Sequence, residues 1–480
     1  MSSLSCRSIA SIIRDGAILE KAILHAVRNC VRELDSRAWS RVPWNNIGTP
    51  PQGAAAMPTI QRRMPRILLA ILILLVAAQY VQAQQQPEVD MYRPTVMPDR
   101  IVLTWAGDPA TTQAVTWRTD TTVKDASAQI AVADPDPNFK GQDVAATTVT
   151  LDNKLWSANY HSVNFTGLKP DTTYAYRVGD GTHWSEWFQF RTASDKPNPF
   201  SFIYFGDVQN GIRSLWSRVI REAFRAAPDA KFMVFGGDLV TDGSSDTLWG
   251  EFFGGGSWIY GMVPTLPTPG NHEYRDNDKG SSNVTRHWRA QFTLPENGPS
   301  GLEEYAYYTD IQGVRMISIA SNEKTDEQTA WLNQVLSNNP NKWTIAFFHH
   351  PIFSPAKGRD QAKLRAAWMP IFEKYKVDLV LNGHDHTYGR TGLEGGTVYL
   401  TSVSGQKMYE LNKQPWMKRA AENTQLFQVI SIDGDKLSVQ TRTATGSLYD
   451  AFELTKQPGK ANVLVDRIPA DVPERVRSSN

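Results

Sequence analysis

The sequence contains little cysteine and almost no net charge. Its 480 residues include two cysteines, Cys6 and Cys30, and the formal charge is +1. If the chain is cleaved after Ala83, no thiol remains to form a disulfide, so stability must come from packing. The balanced charge gives no electrostatic preference for nucleic acid or anionic membranes. These absences exclude a disulfide-stabilised scaffold and a protein that binds nucleic acid through charge alone.

Long apolar runs are also scarce near the amino end. A basic stretch precedes the short apolar run 67–78, and Val81-Gln-Ala83 is typical of a signal-peptide cleavage site. The apolar run is shorter than the roughly 20 residues of a membrane span, which favours cleavage over a retained anchor. We therefore predict a signal peptide at 57–83, a secreted or periplasmic protein, and no stable membrane anchor after cleavage. Residues 1–56 are then an upstream extension or a misassigned start.

The rest of the chain divides by its pattern of apolar residues. Short alternating runs separated by turn residues predict a β-sandwich between residues 100 and 191. Residues 167–174 within it resemble a fibronectin type III signature. Strand-like and helical patterns alternate afterwards, which predicts an α/β domain. The predicted segments are a linker at 84–92, an all-β domain at 93–194, a linker at 195–199, an α/β domain at 200–456 and a polar tail at 457–480.

Two helices are predicted in the α/β region. Residues 212–227 and 325–338 carry apolar residues at helical spacing, and the first segment ends before Pro228. Thr325 and Gln328 match a capping box at the start of the second helix.

Metal-binding residue types are concentrated directly after apolar, strand-like runs. The blocks are Asp207-Val-Gln209, Gly237-Asp238, Gly270-Asn271-His272-Glu273, His349-His350-Pro351 and Gly383-His384-Asp385-His386. In open α/β sheets such loops meet in one crevice beyond the carboxyl ends of the strands. Carboxylates, imidazoles and an amide oxygen suit Fe, Mn and Zn, and Asp238 is placed to bridge two ions. The pattern predicts a dinuclear metal centre.

The ordered set of blocks resembles the calcineurin-like metallophosphoesterase superfamily, and within it the purple acid phosphatases. The resemblance covers roughly residues 93–455, and all blocks together are far more specific than any one of them. It implies a two-sheet β-sandwich flanked by helices, preceded by a fibronectin type III-like all-β sandwich domain. It also implies that Asp207 and His386 hold the first metal, that Asp238 bridges, and that Asn271, His349 and His384 hold the second.

Two positions depart from the purple acid phosphatase pattern. The tyrosine that gives those enzymes their ferric colour is replaced by Thr241, and the first block ends in Gln209. Gln209 either supplies a carbonyl oxygen to the first metal or bonds to nearby backbone. A neutral amide stabilises trivalent iron less than tyrosinate does. We therefore expect two divalent ions (Mn, Fe or Zn) and no purple tyrosinate-ferric centre.

Three residues are candidates for contact with the reacting phosphate. The resemblance implies that His272 protonates the leaving group. His350 either contacts the substrate or hydrogen-bonds a metal ligand. Arg359 matches the position of substrate-binding histidines in the family, although a solvated loop charge is the simpler interpretation.

The predicted function is that of a secreted phosphomonoesterase of acid phosphatase type, which hydrolyses phosphate esters by in-line attack of a metal-bound hydroxide. The substrate is expected to be a small phosphorylated molecule, and no nucleic acid binding is expected. One alternative is a phosphodiesterase or nucleotide pyrophosphatase that uses the same site, since fold does not fix function. Another is a non-catalytic surface binding protein. The oligomeric state stays open.

Overall fold

The computed structural model describes residues 90–274, 284–457 and 459–477. The predicted signal peptide, the upstream extension and residues 84–89 of the first linker lie outside these residues. Within them the chain folds as an all-β domain followed by an α/β domain that contains two large sheets. The predicted fold class is confirmed.

The all-β domain is a sandwich of two four-stranded antiparallel sheets, with strand orders β1-β2-β6-β5 and β4-β3-β7-β8. Apolar side chains that alternate along these strands, including Trp117 and Tyr176, are fully buried between the sheets. The strands are β1 (Asp99–Thr104), β2 (Gln113–Asp120), β3 (Ser127–Val132), β4 (Gln142–Ala145), β5 (Thr147–Asp152), β6 (Ser157–Phe165), β7 (Thr173–Gly179) and β8 (Phe188–Arg191).

The first large sheet of the α/β domain has seven strands in the order β11-β10-β9-β19-β20-β21-β22. Strands β9, β10 and β11 are parallel, and the later strands are added antiparallel. Its strands are β9 (Phe200–Phe205), β10 (Met233–Phe235), β11 (Thr265–Pro267), β19 (Leu426–Asp433), β20 (Lys436–Thr443), β21 (Leu448–Thr455) and β22 (Val463–Asp466).

The second large sheet also has seven strands, in the order β12-β13-β14-β15-β17-β16-β18. Strands β13, β14, β15 and β17 run parallel at its centre and are buried throughout. Its strands are β12 (Tyr307–Ile311), β13 (Val314–Ile319), β14 (Trp343–Phe348), β15 (Leu379–Asn382), β16 (Tyr388–Thr391), β17 (Val398–Thr401) and β18 (Met417–Ala421).

The described helices are short and connect these strands. They are α1 (Ser217–Ala226), α2 (Asp246–Gly256), α3 (Arg286–Gln291), α4 (Thr325–Ser337) and α5 (Ala362–Tyr375), with a π-helical turn at Ile212–Trp216 and a 3₁₀ turn at Ser257–Ile259. Both predicted helices are therefore present. No helix of the described residues combines the length and the apolar character that crossing a membrane requires.

The predicted capping box at Thr325 is wrong. The residue that caps α4 is Lys324, in left-handed conformation, and Thr325 is already helical. Gln328 instead bonds the backbone of the preceding loop: its amide donates to the carbonyls of Ala320 and Glu323 and accepts from the Ala320 N–H. The side chain thus holds the β13–α4 loop rather than the helix start.

The polar tail predicted after residue 457 is partly incorporated into the fold. Strand β22, Val463–Asp466, pairs antiparallel with β21 along four residue pairs. Further on, Arg475 forms a bridge with Ala421 of the second sheet. Strand β22 lies at the edge of its sheet, and its residues are exposed or half-buried. An edge strand needs backbone partners on one side only.

A buried ion pair joins the two large sheets. Arg390 on β16 donates from Nε to Asp450 Oδ2 on β21 at 2.7 Å, and both side chains are inaccessible to solvent. The hydroxyl of Tyr388 donates to the same carboxylate oxygen at 2.7 Å. The Tyr and Arg that follow the Gly-His-x-His block therefore fix the sheets together rather than contact a ligand.

Replacing Asp450 by alanine is expected to lower the free energy of unfolding by about 3–5 kcal/mol, because the buried Arg390 then keeps only the partly exposed Asp466 as an ionic partner. Urea denaturation followed by circular dichroism measures the change. Asp435→Ala is the matched control: Asp435 pairs with Lys342 at 2.7 Å, and both side chains are at least half exposed. That change should cost less than about 1 kcal/mol. Equal losses in the two variants would contradict the assignment.

Candidate metal centre

Loops that follow strands β9, β10, β14 and β15 meet at one end of the two large sheets. They carry Asp207, Asp238, His349 and His384 respectively. Because these strands are parallel within each sheet, their carboxyl ends lie together, as predicted. The six side chains that the family resemblance implies as ligands are all found in this cluster: Asp207, Asp238, Asn271, His349, His384 and His386.

One group of donors is formed by Asp207, Asp238 and His386, whose donor atoms all lie within 4.8 Å of one another. His386 Nε2 is 3.1 Å from Asp207 Oδ2. The other ring nitrogen of His386, Nδ1, lies 2.9 Å from the carbonyl oxygen of Lys407. Since a carbonyl can only accept, Nδ1 donates there and Nε2 keeps a free lone pair for a metal.

A second group shares Asp238 and adds His349 and His384, again with all donor atoms within 4.8 Å. His349 Nε2 lies 3.2 Å from Asp238 Oδ2, 3.1 Å from His384 Nδ1 and 3.2 Å from Asn271 Oδ1. The Nδ1 of His349 donates to the Gly236 carbonyl at 3.0 Å, which orients the ring. The two groups meet at Asp238, as a bridging carboxylate requires.

Gln209 lies within this cluster and is fully buried. Its Nε2 donates to Asp238 Oδ2 at 2.8 Å and lies 3.2 Å from His386 Nε2. Its Oε1 is buried and has no hydrogen-bond partner among the described residues. Rotating the amide by half a turn exchanges the two atoms, so the side chain can present a carbonyl oxygen to a cation at this position.

Three of these residues adopt backbone conformations that side chains rarely occupy. Asp238, His384 and His386 have φ angles of 51°, 73° and 48°. A non-glycine residue in this left-handed region costs of order 1 kcal/mol or more, and such residues are common at active sites. Three such residues occur within one cluster, which indicates that the backbone strain serves to point these side chains at a common site.

Burial and neighbouring charges shift the pKa of both buried carboxylates. Burial, and then the nearby charge of Asp238, raise the pKa of Asp207 to about 7, although His349 opposes this. Burial also acts to raise the pKa of Asp238, but the charge of His349 and a hydrogen bond from it hold that pKa well below its usual range. Two carboxylates buried together attract cations, because each ion bound removes their repulsion.

Glu273 supports the site and was not assigned a role from the sequence. Its buried carboxylate accepts backbone N–H bonds at 2.7–3.2 Å from Gly270, Asp238, Leu239 and Val240. These bonds tie the Asp238 loop to the Asn271 loop. Gly270 permits the approach, because a Cβ at that position would lie 2.2 Å from Asp238 Oδ1. The sequence did contain a signal for a role of Glu273, because it is the last residue of the block Gly270-Asn271-His272-Glu273.

His272 lies beside the cluster, with its backbone N–H and its ring Nε2 both near Asp238. Its backbone N–H donates to Asp238 Oδ1 at 2.9 Å, and its Nε2 is 3.8 Å from Asp238 Oδ2. Its Nδ1 donates to the Thr241 carbonyl oxygen. When the ring is protonated, Nε2 carries the proton that faces the cluster.

His350 and Arg359 both contact His384. The ring centroids of His350 and His384 are 4.2 Å apart, and His350 Nδ1 lies 2.9 Å from Ser321 Oγ. Burial, and then the charge of His349, lower the pKa of His350 to about 3. Its ring is therefore neutral and is anchored beside a candidate ligand.

The interpretation of Arg359 as a solvated loop charge is wrong. Its side chain is only 29% exposed, and it forms an ion pair in which Nε lies 3.0 Å from Asp385 Oδ1. The guanidinium carbon lies 5.0 Å from the centroid of the Tyr409 ring, and Nη2 contacts His384 Nε2. Asp385, between the two histidines of the last block, was overlooked as the residue that holds this arginine. Tyr409 comes from a loop with no motif of its own.

The remaining described histidines have structural surroundings. His161 lies between the hydroxyls of Thr119 and Thr148, each 2.8 Å from a ring nitrogen. His183 pairs with Asp180 at 3.0 Å. His287 is buried in the contact between the two domains, 3.4 Å from Asp246. His25 lies outside the described residues.

The cluster fits a pair of divalent ions. Asp207 Oδ2 and Gln209 Oε1 are buried acceptors without a hydrogen-bond partner in the described part of the chain. Free lone pairs of this kind, next to imidazole nitrogens, are what Fe, Mn or Zn takes as ligands.

Comparison with protein families gives two matches. Residues 98–192 match the family described as "Purple acid Phosphatase, N-terminal domain", and residues 200–388 match "Calcineurin-like phosphoesterase". Among curated proteins, an uncharacterized protein of Mycobacterium tuberculosis is 28% identical over 331 residues, covering 60% of this chain and 61% of its own. Purple acid phosphatase 21 of Arabidopsis thaliana is 28% identical over 245 residues, covering 49% and 54%. The chain thus spans about half to three fifths of these relatives.

Two solved structures have a similar fold. A purple acid phosphatase from yellow lupin seeds superposes with a TM-score of 0.65 at 18% identity, over 75% of this chain and 74% of that one. The structure of PhoD gives a TM-score of 0.60 at 12% identity, over 80% and 94%. These structures show the fold, and the two family matches identify the chain as carrying a purple acid phosphatase N-terminal domain followed by a calcineurin-like phosphoesterase domain.

Proposed function

We propose that this protein is a dinuclear metal-dependent phosphomonoesterase of acid phosphatase type that acts outside the cytoplasm. The observation that carries the proposal is the pair of donor groups sharing Asp238, each with all donor atoms within 4.8 Å. Asp207, Asp238, His386 and the amide of Gln209 would hold the first metal. Asp238, Asn271, His349 and His384 would hold the second. Export is supported by the signal-peptide pattern at 57–83.

Two divalent ions in such a site lower the pKa of water and neutralise charge on phosphate oxygens. The side chains contribute orientation and protons. His272 Nε2 gives a proton to the leaving oxygen, and Arg359 holds a phosphoryl oxygen from the side of His384. His350, neutral and bonded near Ser321, keeps the ring of His384 in place.

Substrate preference is tested with the ratio of kcat/KM on a phosphate monoester to kcat/KM on a matched diester. The protein is reconstituted with Mn(II), and with Zn(II) or Fe(II) where Mn(II) gives no turnover. We expect a ratio well above one for the wild type. Asp238→Asn should reduce both rates by several orders of magnitude, because the shared ligand loses its charge.

Other results would point to the alternatives. A ratio below one assigns the protein to the phosphodiesterases or nucleotide pyrophosphatases. No turnover of either ester with any of these metals favours a non-catalytic binding protein.

Iron loading tests the consequence of Thr241. The wild-type protein loaded with iron and oxidised should show no visible tyrosinate-to-iron absorption, since the purple acid phosphatase tyrosine is missing. Thr241→Tyr should gain such a band, because position 241 is where the purple acid phosphatase pattern has its tyrosine ligand. Thr247→Tyr, on helix α2, is the control and should stay colourless. A coloured wild type would contradict the proposed ligand set.

A further inference from the structure

A buried ionic cluster joins the two domains at Asp246, the first residue of helix α2. Arg100 on β1 forms two bonds to the Asp246 carboxylate, at 2.9 and 2.7 Å, and a third to its carbonyl oxygen at 2.9 Å. Arg118 on β2 adds a bond to Asp246 Oδ2 at 2.8 Å. The side chains of Arg100, Arg118 and Asp246 are 3%, 1% and 0% exposed. The all-β domain therefore holds one carboxylate of the α/β domain with two arginines.

Other groups complete the cluster. Tyr160 and Trp156 of the all-β domain donate to the Asp246 carboxylate at 3.1 and 3.0 Å, and His287 Nε2 lies 3.4 Å from it. Burial opposes ionisation of Asp246, but the charges of the arginines and the hydrogen bonds hold its pKa far below the usual range. Removing one partner from such a pair is strongly destabilising locally, because a buried charge loses its compensation.

The segment that leads into Asp246 also holds His272. The backbone N–H of Gly243 donates to the His272 carbonyl at 3.0 Å, and the Thr241 carbonyl accepts from His272 Nδ1. On helix α2, Trp249 Nε1 donates to the Gly243 carbonyl at 2.8 Å. Only a residue without a side chain fits at position 243, since a Cβ there would lie 2.9 Å from the Cα of Glu273.

We propose that Arg100 is a positioning residue for protonation of the leaving group, and that the all-β domain thereby takes part in catalysis. Through Asp246, it fixes the segment 241–246 and so the direction of His272. This inference rests on the proposed function. In the step concerned, the oxygen of a hydroxide derived from water bonds to phosphorus and the P–O bond to the leaving group breaks. The leaving oxygen keeps the electron pair of that bond, and the Nε2–H proton of His272 moves to it. The ring is left neutral and regains a proton from water.

The test compares substrates that differ in their need for this proton. An alkyl phosphate needs it, because an alkoxide is a poor leaving group, whereas p-nitrophenyl phosphate releases a stable phenolate. We define R as kcat/KM for ethyl phosphate divided by kcat/KM for p-nitrophenyl phosphate. His272→Ala should lower R by about 10²- to 10⁴-fold. Arg100→Met should lower R by about 10- to 100-fold, as expected for a misdirected catalytic group.

Two controls separate positioning from loss of stability. Arg315→Met removes a buried arginine that pairs with Asp310 at 2.7 Å, far along the chain from the cluster. Arg315→Met should lower the free energy of unfolding about as much as Arg100→Met does, but it should leave R unchanged. Trp156→Phe removes one hydrogen bond to Asp246 and should lower R modestly, so it serves where Arg100→Met does not fold. In the double variant Arg100→Met/His272→Ala, R should equal that of His272→Ala alone.

The outcomes are distinct. If neither Arg100→Met nor Trp156→Phe changes R while His272→Ala lowers it, the inference is overturned and the proposed function stands. Additive losses in the double variant overturn it as well, because Arg100 would then act independently of His272. If His272→Ala leaves R unchanged, His272 does not protonate the leaving group, and the inference about Arg100 is overturned. If the wild type hydrolyses neither substrate, the proposed function itself has failed.

Discussion

The structure of the site follows from one electrostatic constraint: the carboxylates of Asp207 and Asp238 are buried together, so their negative charge has to be compensated. Both carboxylates are inaccessible or nearly so, and the charge of Asp238 disfavours ionisation of Asp207. The protein compensates with His349, with backbone N–H groups and with loops held in left-handed conformation. These groups reduce the repulsion but leave buried lone pairs at Asp207 and Gln209. Divalent cations are the partners that such an arrangement favours, and the arrangement of the four strand-end loops follows from bringing these donors together.

Support for the site extends well beyond its ligands. Glu273 joins the Asp238 and Asn271 loops through hydrogen bonds from their backbone N–H groups. Asp385 forms an ion pair with Arg359. The ion pair of Arg390 with Asp450 joins the two large sheets. The Asp246 cluster extends this support into the all-β domain. Residues of this kind carry no metal, yet a displacement of about 1 Å at a catalytic group is enough to cost a large factor in rate.

Much of this could be predicted from the sequence, because the chemistry is encoded in local blocks. Asp207, Asp238 and His384 each follow a short buried strand, so their convergence follows from parallel sheet geometry. The supporting contacts could not be predicted, since Arg100 and Asp246 are separated by 146 residues and neither belongs to a motif. The predicted capping box at Thr325 is wrong because the side chain of Gln328 hydrogen-bonds the backbone of the preceding loop instead. Strand β22 was overlooked because its short run, Val463 to Asp466, lies in a segment whose other residues are largely polar.

The most direct test of the dinuclear site is a count of bound ions. The purified protein is stripped of metal, reconstituted with Mn(II), desalted, and measured by elemental analysis against protein concentration. The account predicts two ions per chain in the wild type and a loss of at least one in Asp238→Asn, while Asp435→Asn, an exposed change outside both donor groups, keeps two. One ion or none in the wild type, with Zn(II) and Fe(II) giving the same result, would contradict the shared-carboxylate centre.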